Sequence, residues 1–265
     1  MDGATMSIFS LHYIGLNLKK GVTAGDFEQF ARSGGRDIPA YPGWQWTLLK
    51  GLRGERTDQY LMLYEAPDAA QYARYVDEHG ERTAAAREFW QQHPAALERI
   101  AEWRTYATFA EPSTLFSSFA LIAENTRSTL PEGPNFRGGN DGDPVARVVG
   151  IHHLALRPGV APERFEGFIR DNIHRLEDYP GWKLHVLRGT GGTRREPYAV
   201  LLEIESLAAL NAYHPELDVS TDKALEFVRT HQDCERVNEA WRELASFPGA
   251  PQLYTDYLAI AGGRS

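Results

Sequence analysis

The sequence predicts an α+β protein made of two consecutive copies of one β-α-β-β-α-β unit. The tetrapeptide at 41–44, Tyr-Pro-Gly-Trp, recurs at 179–182, an offset of 138 residues. At that offset, and without a gap, segment 9–123 is identical to segment 147–261 at 34 of 115 positions, against roughly 7 expected by chance for average composition. Both copies also show the same order of strand-like and helix-like patterns, so each assignment is supported twice.

Each copy opens with a strand and a helix. The first strand covers 9–18 and 148–156, which are short apolar runs bounded by Gly or Pro. The helix follows at about 24–35 and 162–175, where phenylalanines three residues apart, such as Phe27 and Phe30, share one face. Pro-Gly then turns the chain into the next strand.

A hairpin, a helical region and a last strand complete each copy. We expect the hairpin strands at 44–51 with 59–66, and at 182–189 with 197–204. Helical patterns occupy 68–76 and 81–106 in the first copy, and 206–213 and 220–245 in the second. The last strand is predicted at 115–123 and 253–261. This element order is the ferredoxin-like arrangement, an antiparallel sheet with helices on one face.

These boundaries predict two domains and a linker. The first ferredoxin-like repeat is residues 1–123 and the second is 147–265, while 124–146 is rich in Pro, Gly, Asn and Asp and indicates an irregular linker. A single repeat would leave one apolar sheet face uncovered. The second repeat is available to cover it.

The repeats resemble the dimeric α+β-barrel proteins, which include the antibiotic-biosynthesis monooxygenase, EthD-like and stress-responsive A/B-barrel families. The resemblance lies in the Pro-Gly before strand two, in the acidic end of strand three followed by a helix (65–75 and 203–215), and in the element order. It implies that the two sheets pack face to face into an eight-stranded antiparallel barrel with helices outside, here within one chain. It also implies an activity found among these proteins. They include oxygenases that need neither metal nor flavin, and cyclases and isomerases, which act on aromatic or polyketide-like compounds.

Composition narrows the partners. The single cysteine, Cys234, excludes an intrachain disulfide, and no Cys/His cluster has zinc-site spacing. A net charge of −8 without a basic run argues against nucleic acid. Because the first residues lack a signal-peptide pattern and no apolar stretch is long enough to span a bilayer, we expect a cytoplasmic protein that is neither secreted nor membrane-inserted. The partners we expect are therefore a small-molecule substrate and, in a possible homo-oligomer, further copies of the same chain.

Strand alternation selects candidate catalytic residues. It places Trp44, Trp46 and Leu48 against the helices, and His153 and His185 inside the barrel. At the ungapped offset the first copy has Gly15 and Thr47 there, so the halves differ in the residues facing the interior. Either histidine could act as a general base, since imidazole titrates near neutrality. Alternatively, the two histidines lie at the barrel rim or hydrogen bond to unrelated polar groups and have no catalytic role. Candidate hydrogen-bond partners are Tyr13, Asn17, Asp256 and Tyr257.

His93 and His231 form a repeated histidine pair, one helical turn after Phe89 and Phe227. A helical histidine facing a cavity can bind haem iron, and two-repeat haem proteins such as the chlorite-dismutase group share the fused architecture. A histidine bonded to a backbone carbonyl explains the repetition as well.

Three hypotheses about function follow. The first is a cofactor-independent monooxygenase or related proton-transfer enzyme acting on an aromatic, phenolic or polyketide-like molecule in the barrel. The second is a haem protein with His231 as axial ligand, and the third is a non-catalytic ligand-binding or stress-response barrel. No metal ligands are predicted.

Overall fold

The computed structural model describes residues 6–109, 116–130, 147–192, 197–216, 219–247 and 254–264. The first half contains strands β1 (Ile8–Ile14), β2 (Leu16–Leu18), β3 (Gln45–Gly54), β4 (Tyr60–Ala66), β5 (Ala107–Phe109) and β6 (Phe116–Glu124), and helices α1 (Ala24–Gly34), α2 (Ala69–Tyr75), α3 (Ala84–Gln91) and α4 (Pro94–Tyr106). The second contains β7 (Val148–Leu156), β8 (Trp182–Gly192), β9 (Tyr198–Ile204), β10 (Ala245–Ser246) and β11 (Tyr254–Arg264), with α5 (Pro162–Asn172), α6 (Leu207–Tyr213), α7 (Asp222–Thr230) and α8 (Gln232–Leu244).

Eight of these strands close into a barrel. Around the barrel the order is β7-β11-β3-β4-β1-β6-β8-β9, and β9 pairs back to β7. Neighbouring strands are antiparallel, and in each half strand three lies between strands one and two. The predicted ferredoxin-like order and the eight-stranded α+β barrel are therefore confirmed.

The two halves join through equivalent strand pairs, β6 with β8 and β11 with β3. Ser118 pairs with Gly191 at one junction, and Asp256 pairs with Arg53 at the other. Both junctions contain the same two register shifts at positions 138 residues apart. A two-fold relation along the barrel axis follows, because each strand has its counterpart four places around the barrel.

The barrel interior is packed with apolar side chains. Phe9, Leu11, Leu61, Phe119 and Leu201, all 2% exposed or less, come from both halves and form one cluster. The expectation of a substrate-sized space in the barrel lumen is therefore wrong for the residues described. Interiors of eight-stranded barrels are just wide enough for side chains to fill, and large residues fill this one.

The outer sheet faces are covered by helices. Trp44, Trp46 and Leu48 pack there as predicted, and Leu49 faces the interior. Each half also has a carboxylate that links its first helix to strands two and three. In the first half Glu28 accepts hydrogen bonds from Lys50 and Tyr60. Its counterpart Glu166 accepts from Arg170, Arg188 and Tyr198.

Local sequence determines where the elements begin and turn. Thr23 forms a capping box with Asp26 at the start of α1, and Asp68, Thr83, Ser206 and Thr221 cap later helices. Gly43 and Gly181, in the repeated tetrapeptide, both have φ of +80°. Glycine adopts that conformation without steric cost, so the tetrapeptide is a structural turn in both halves.

The two long predicted helices are each broken in two. The region predicted at 81–106 divides into α3 and α4, and that at 220–245 into α7 and α8. The breaks fall at His93 and His231, whose ψ values are 63° and 60°. In each case ring Nδ1 donates to the carbonyl oxygen four residues earlier at 2.7 Å, satisfying a carbonyl near the helix end. This bond explains why both copies contain the histidine.

Strand one corrects the ungapped alignment. The pairing registers of β1 and β7 are related by 140 residues rather than 138, whereas Leu18 and Leu156 are again related by 138. The first half therefore has two extra residues between β1 and β2, where its first strand is interrupted at Gly15. The counterpart of His153 is therefore Tyr13, not Gly15, and His12 matches His152. Asn17 lies on β2, which pairs with β5, and is exposed, so its predicted place in the lumen is wrong.

The start of the predicted linker packs on the second half. Glu124 ends β6, Asn125 is fully buried and donates to the Leu176 carbonyl at 2.6 Å, and Thr129 accepts from the Gly181 N–H at 2.9 Å. Residues 131–146 of that linker lie outside the described residues. Among the described helices, none combines the length and apolar character needed to cross a membrane.

Candidate functional site

A cavity of about 750 Å³ lies between the outer face of the second half's sheet and its helices. Its volume falls within the range of small-molecule sites. The apolar walls come from strands β8 and β9, helices α6, α7 and α8, the turn before β8 and the residue after β10. They are Leu176, Tyr179, Trp182, Leu184, Val200, Leu202, Leu210, Phe227, Val228, Trp241 and Phe247.

Smaller residues make room for the cavity. In the first half, Trp46, Tyr64, Tyr72 and Trp90 pack under the helices, with Trp44 stacked on Tyr72 at 5.4 Å. The second half has aliphatic residues at the equivalent positions, Leu184, Leu202, Leu210 and Val228, and all four line the cavity. Replacing four aromatic rings leaves a space that a ligand can fill.

One polar group of the cavity crosses between the halves. Arg53, at the end of β3, donates through Nε to Asp256 Oδ2 at 2.6 Å and through a terminal nitrogen to the His214 carbonyl at 2.9 Å. The Asp256 side chain is 2% exposed and that of Arg53 18%. We call Arg53, Asp256, His152 and His214 the Arg53 group.

Gly150 provides space for this group. A Cβ built at this position would lie 2.9 Å from Asp256 Oδ1 and 3.4 Å from His152 Nε2. Its counterpart, Ser10, hydrogen bonds His12 and Ser118 in the first half. The second half has an acidic side chain where the first has a small cluster of hydroxyls.

Both histidines of the Arg53 group are biased toward the neutral form. Burial, with smaller contributions from His153, Arg53 and His214, lowers the pKa of His152 to about 3. The pKa of His214 is also lowered, chiefly by burial and in part by Arg53, although a backbone hydrogen bond and Asp256 oppose the shift. Neutral imidazoles can donate or accept a hydrogen bond from a ligand oxygen.

A second polar group surrounds Asp178, in the turn before β8. Burial raises the pKa of its carboxyl to about 6, although the Leu184 N–H donates to it at 3.1 Å and opposes the shift. Asp178, Glu177 and His231 all line the cavity, and His231 Nε2 lies 3.0 Å from Glu177 Oε2. We call these three residues the Asp178 group.

Three predicted site residues meet at one end of the barrel instead. Tyr13, His153 and Tyr257 line a small pocket of about 10 Å³ together with Arg56, whose guanidinium lies 4.1 Å from the centre of the Tyr13 ring. That volume is near the minimum for one water molecule. His153 also borders the large cavity, whereas Tyr13 and Tyr257 belong to the packed interior.

His185 lies at the opposite end of the barrel. Its Nε2 is 2.8 Å from Glu203 and its Nδ1 is 3.3 Å from Glu124. Burial opposes its charged form, but hydrogen bonds to the two carboxylates outweigh burial and raise its pKa to about 9. The two carboxylates favour the protonated form of His185, which argues against the general-base role predicted from the sequence.

Of the residues predicted for the site, Asp256, His153 and His231 border the large cavity. Sequence reasoning missed Arg53, His152 and Asp178. The ungapped alignment pairs His152 with Ile14 and hides its match to His12. Asp178 replaces Ala40 of the first half, a difference between the copies that could have been noticed. Within the described ranges, no cluster of three or more His, Cys, Asp or Glu side chains is arranged to hold a metal ion.

Comparison with known proteins gives structural likeness at low identity. An anthrone oxidase-like protein is 11% identical, with a TM-score of 0.47, over 98% of this chain and 93% of its own. A chlorite dismutase variant from Candidatus Nitrospira defluvii is 10% identical, with a TM-score of 0.43, over 96% of this chain and 92% of its own. No protein-family model and no curated protein matches the sequence. The strand pairing itself defines the class, a single-chain α+β barrel.

Proposed function

We propose that the protein is an enzyme that binds a largely apolar, aromatic or phenolic small molecule in the cavity of its second half and transfers a proton to or from it. The observation that carries this proposal is the cavity itself, where aliphatic residues replace four aromatic rings of the first half. Apolar walls with a few polar groups are typical of small-molecule sites. This site replaces the barrel interior predicted from the sequence.

Asp178 is the candidate general acid/base. Its pKa of about 6 lies close to neutral pH, which favours proton transfer in both directions. At pH 7 its carboxylate would take a proton from an acidic C–H bond of the ligand and leave a resonance-stabilised anion. With molecular oxygen as co-reactant, a methylene between two rings would become a carbonyl, the second oxygen atom leaving as water with the two hydrogens.

The cavity assignment is tested by refilling the space. The double variant L184W/L202Y introduces the pair found at Trp46 and Tyr64, which are cross-strand partners as Leu184 and Leu202 are. We expect it to fold and to lose binding of naphthalene and 2-naphthol by at least about tenfold, measured by calorimetry. The control L97W adds an indole at an exposed position on α4. Unchanged binding in L184W/L202Y would contradict the site.

The proton-transfer role is tested with D178N. Turnover of a panel of phenols, naphthols and anthrones under oxygen should fall by about 10²-fold or more. The wild-type acid limb near pH 6 should disappear, while binding is retained. D171N, which removes an exposed carboxylate at the end of α5, is the control. Turnover in D178N that matches wild type would contradict the assignment, and binding without turnover of any compound would favour a non-catalytic barrel.

A second candidate function is haem binding. His231 borders the cavity, and its Nδ1 is fixed by the Phe227 carbonyl, so Nε2 is the nitrogen able to coordinate iron. The donor therefore fits a haem ligand, provided that Glu177 turns away from Nε2. Glu177 is 45% exposed and free to do so. His231 would hold the group, and haem would supply redox chemistry at iron.

Haemin titration separates the two candidates. Haem binding predicts a Soret band that saturates at one equivalent and is lost in H231A but not in H93A, the matched variant of the first half. A Soret band that is absent, or equal in the two variants, would contradict His231 as ligand.

A further inference from the structure

The two junctions between the halves differ in one charged pair. Arg53 and Asp256 are cross-strand partners at one junction, and Gly191 and Ser118 occupy the same register positions at the other. The second junction has the same register and the same bulges without any charge at this place. Closing the barrel therefore does not require the ion pair.

Burial of this ion pair costs folding free energy, which a purely structural role would not explain. Asp256 is 2% exposed and Arg53 18%, and removing two charges from water costs several kcal/mol per ion before their attraction is counted. Gly150 also lacks a Cβ where one would contact Asp256 at 2.9 Å. A buried charge pair that borders a cavity and occurs at one of two equivalent junctions indicates a role toward a ligand.

The surroundings of Arg53 favour a negatively charged oxygen. His152 and His214 face it from β7 and from the end of α6, and both are neutral near pH 7. Arg53 contributes to lowering both pKa values, so its positive charge acts on this part of the cavity even beside Asp256. Neutral imidazoles add hydrogen bonds without adding charge.

We propose that Arg53, contributed by the first half, binds the oxyanion of an acidic hydroxyl group, a phenol or an enol, on the ligand of the second half's cavity. The inference rests on the proposed function, because it takes that cavity as the ligand site. When the ligand binds, its O–H bond breaks, the proton leaves to solvent, and the electron pair stays on the oxygen facing Arg53. Neutral His152 donates the accompanying hydrogen bond to that oxygen.

The charge balance selects this class of ligand. Asp256 already offsets part of the positive charge of Arg53, so a carboxylate or phosphate with localised charge would be poorly compensated. A phenolate or enolate spreads its single charge over an apolar ring system, which suits the aliphatic walls around Leu184 and Leu202. Arginine also presents several fixed donors to one oxygen or to adjacent oxygens.

The test compares naphthalene with 2-naphthol, which differ by the hydroxyl group. Wild type should bind 2-naphthol at least about tenfold more tightly and show phenolate absorption at a pH below the pKa of free 2-naphthol. In R53Q the affinities for the two probes should lie within about twofold of each other, and the phenolate band should be lost. The naphthalene affinity of R53Q should equal that of wild type. R53K, which retains the charge, should recover part of the preference.

R56Q is the matched control, because it removes an arginine that borders the small pocket at the barrel end. It should behave as wild type toward both probes. Retention of the 2-naphthol preference in R53Q, or an equal loss of both probes, would overturn the role of Arg53 and leave the cavity assignment intact. Failure of wild type to bind either probe, or equal binding by L184W/L202Y, would instead remove the cavity assignment and this proposal with it.

Discussion

The polar residues of this protein differ in role according to which sheet face they occupy. His152 and His153 are adjacent on β7, yet His152 belongs to the large outer cavity, while His153 contacts Phe119 of the packed interior. Alternation predicted which way each side chain points. It could not predict which face would be hollow, because that depends on the sizes of residues from several distant elements.

His185 shows how partners decide a histidine's role. Its inward orientation was predicted, but Glu124 and Glu203 come from other strands and make it a cation. The sequence around residue 185 does not indicate that these carboxylates lie beside it.

The raised pKa of His185 predicts a pH-dependent contribution to stability. A histidine whose folded pKa is about 9, above the unfolded value of 6.5, stabilises the fold fully below pH 6.5 and loses that contribution as pH rises through 9. The variant H185T has the residue found at Thr47. Its deficit in unfolding free energy should be on the order of 2 kcal/mol at pH 6 and should shrink by pH 10. Urea denaturation checks this, and a deficit independent of pH would contradict it.

At the scale of elements, both copies predicted strands and helices correctly where each pattern was repeated. The first predicted strand, 9–18, is interrupted at Gly15 and forms β1 and β2. The short strands β5 and β10 were missed, because two or three residues carry too little periodicity to be recognised. Both helix breaks were missed. Pro94 follows His93 and could have indicated the first break, whereas Gln232 follows His231 and no proline or glycine marks the second.

The difference in filling between the halves predicts that a cavity can be opened in the first. W46L/Y64L introduces, on strands β3 and β4, the leucines that the second half has at positions 184 and 202. Because two buried aromatic rings are lost, unfolding should become easier by about 3 kcal/mol or more. Naphthalene should then bind at two sites per chain in calorimetry. A stoichiometry that stays at one would show that the first half collapses around the change.

On the scale of the whole molecule, the repeat offset predicted a shared body, and the structure shows why one half is incomplete alone. The interior cluster takes Leu11 and Phe119 from one half and Ile151 and Leu201 from the other. Two strand junctions with equivalent registers close the barrel. The candidate site also draws on both halves, because Arg53 belongs to the first and the apolar walls of the cavity to the second.

Cutting the predicted linker should therefore leave the molecule assembled. A protease site inserted within 131–146 and cleaved should give two fragments that elute together at the mass of the uncut chain and retain naphthol binding. Separation of the fragments at micromolar concentration would contradict the shared interior as the main source of cohesion.

The most direct measurement is a crystal structure of the protein with bound 2-naphthol. We predict electron density for the ring between β9 and helix α7, against Leu202 and Val228, with the oxygen within hydrogen-bond distance of Arg53. Density for the ligand inside the barrel, or only on the outer surface of the protein, would contradict it.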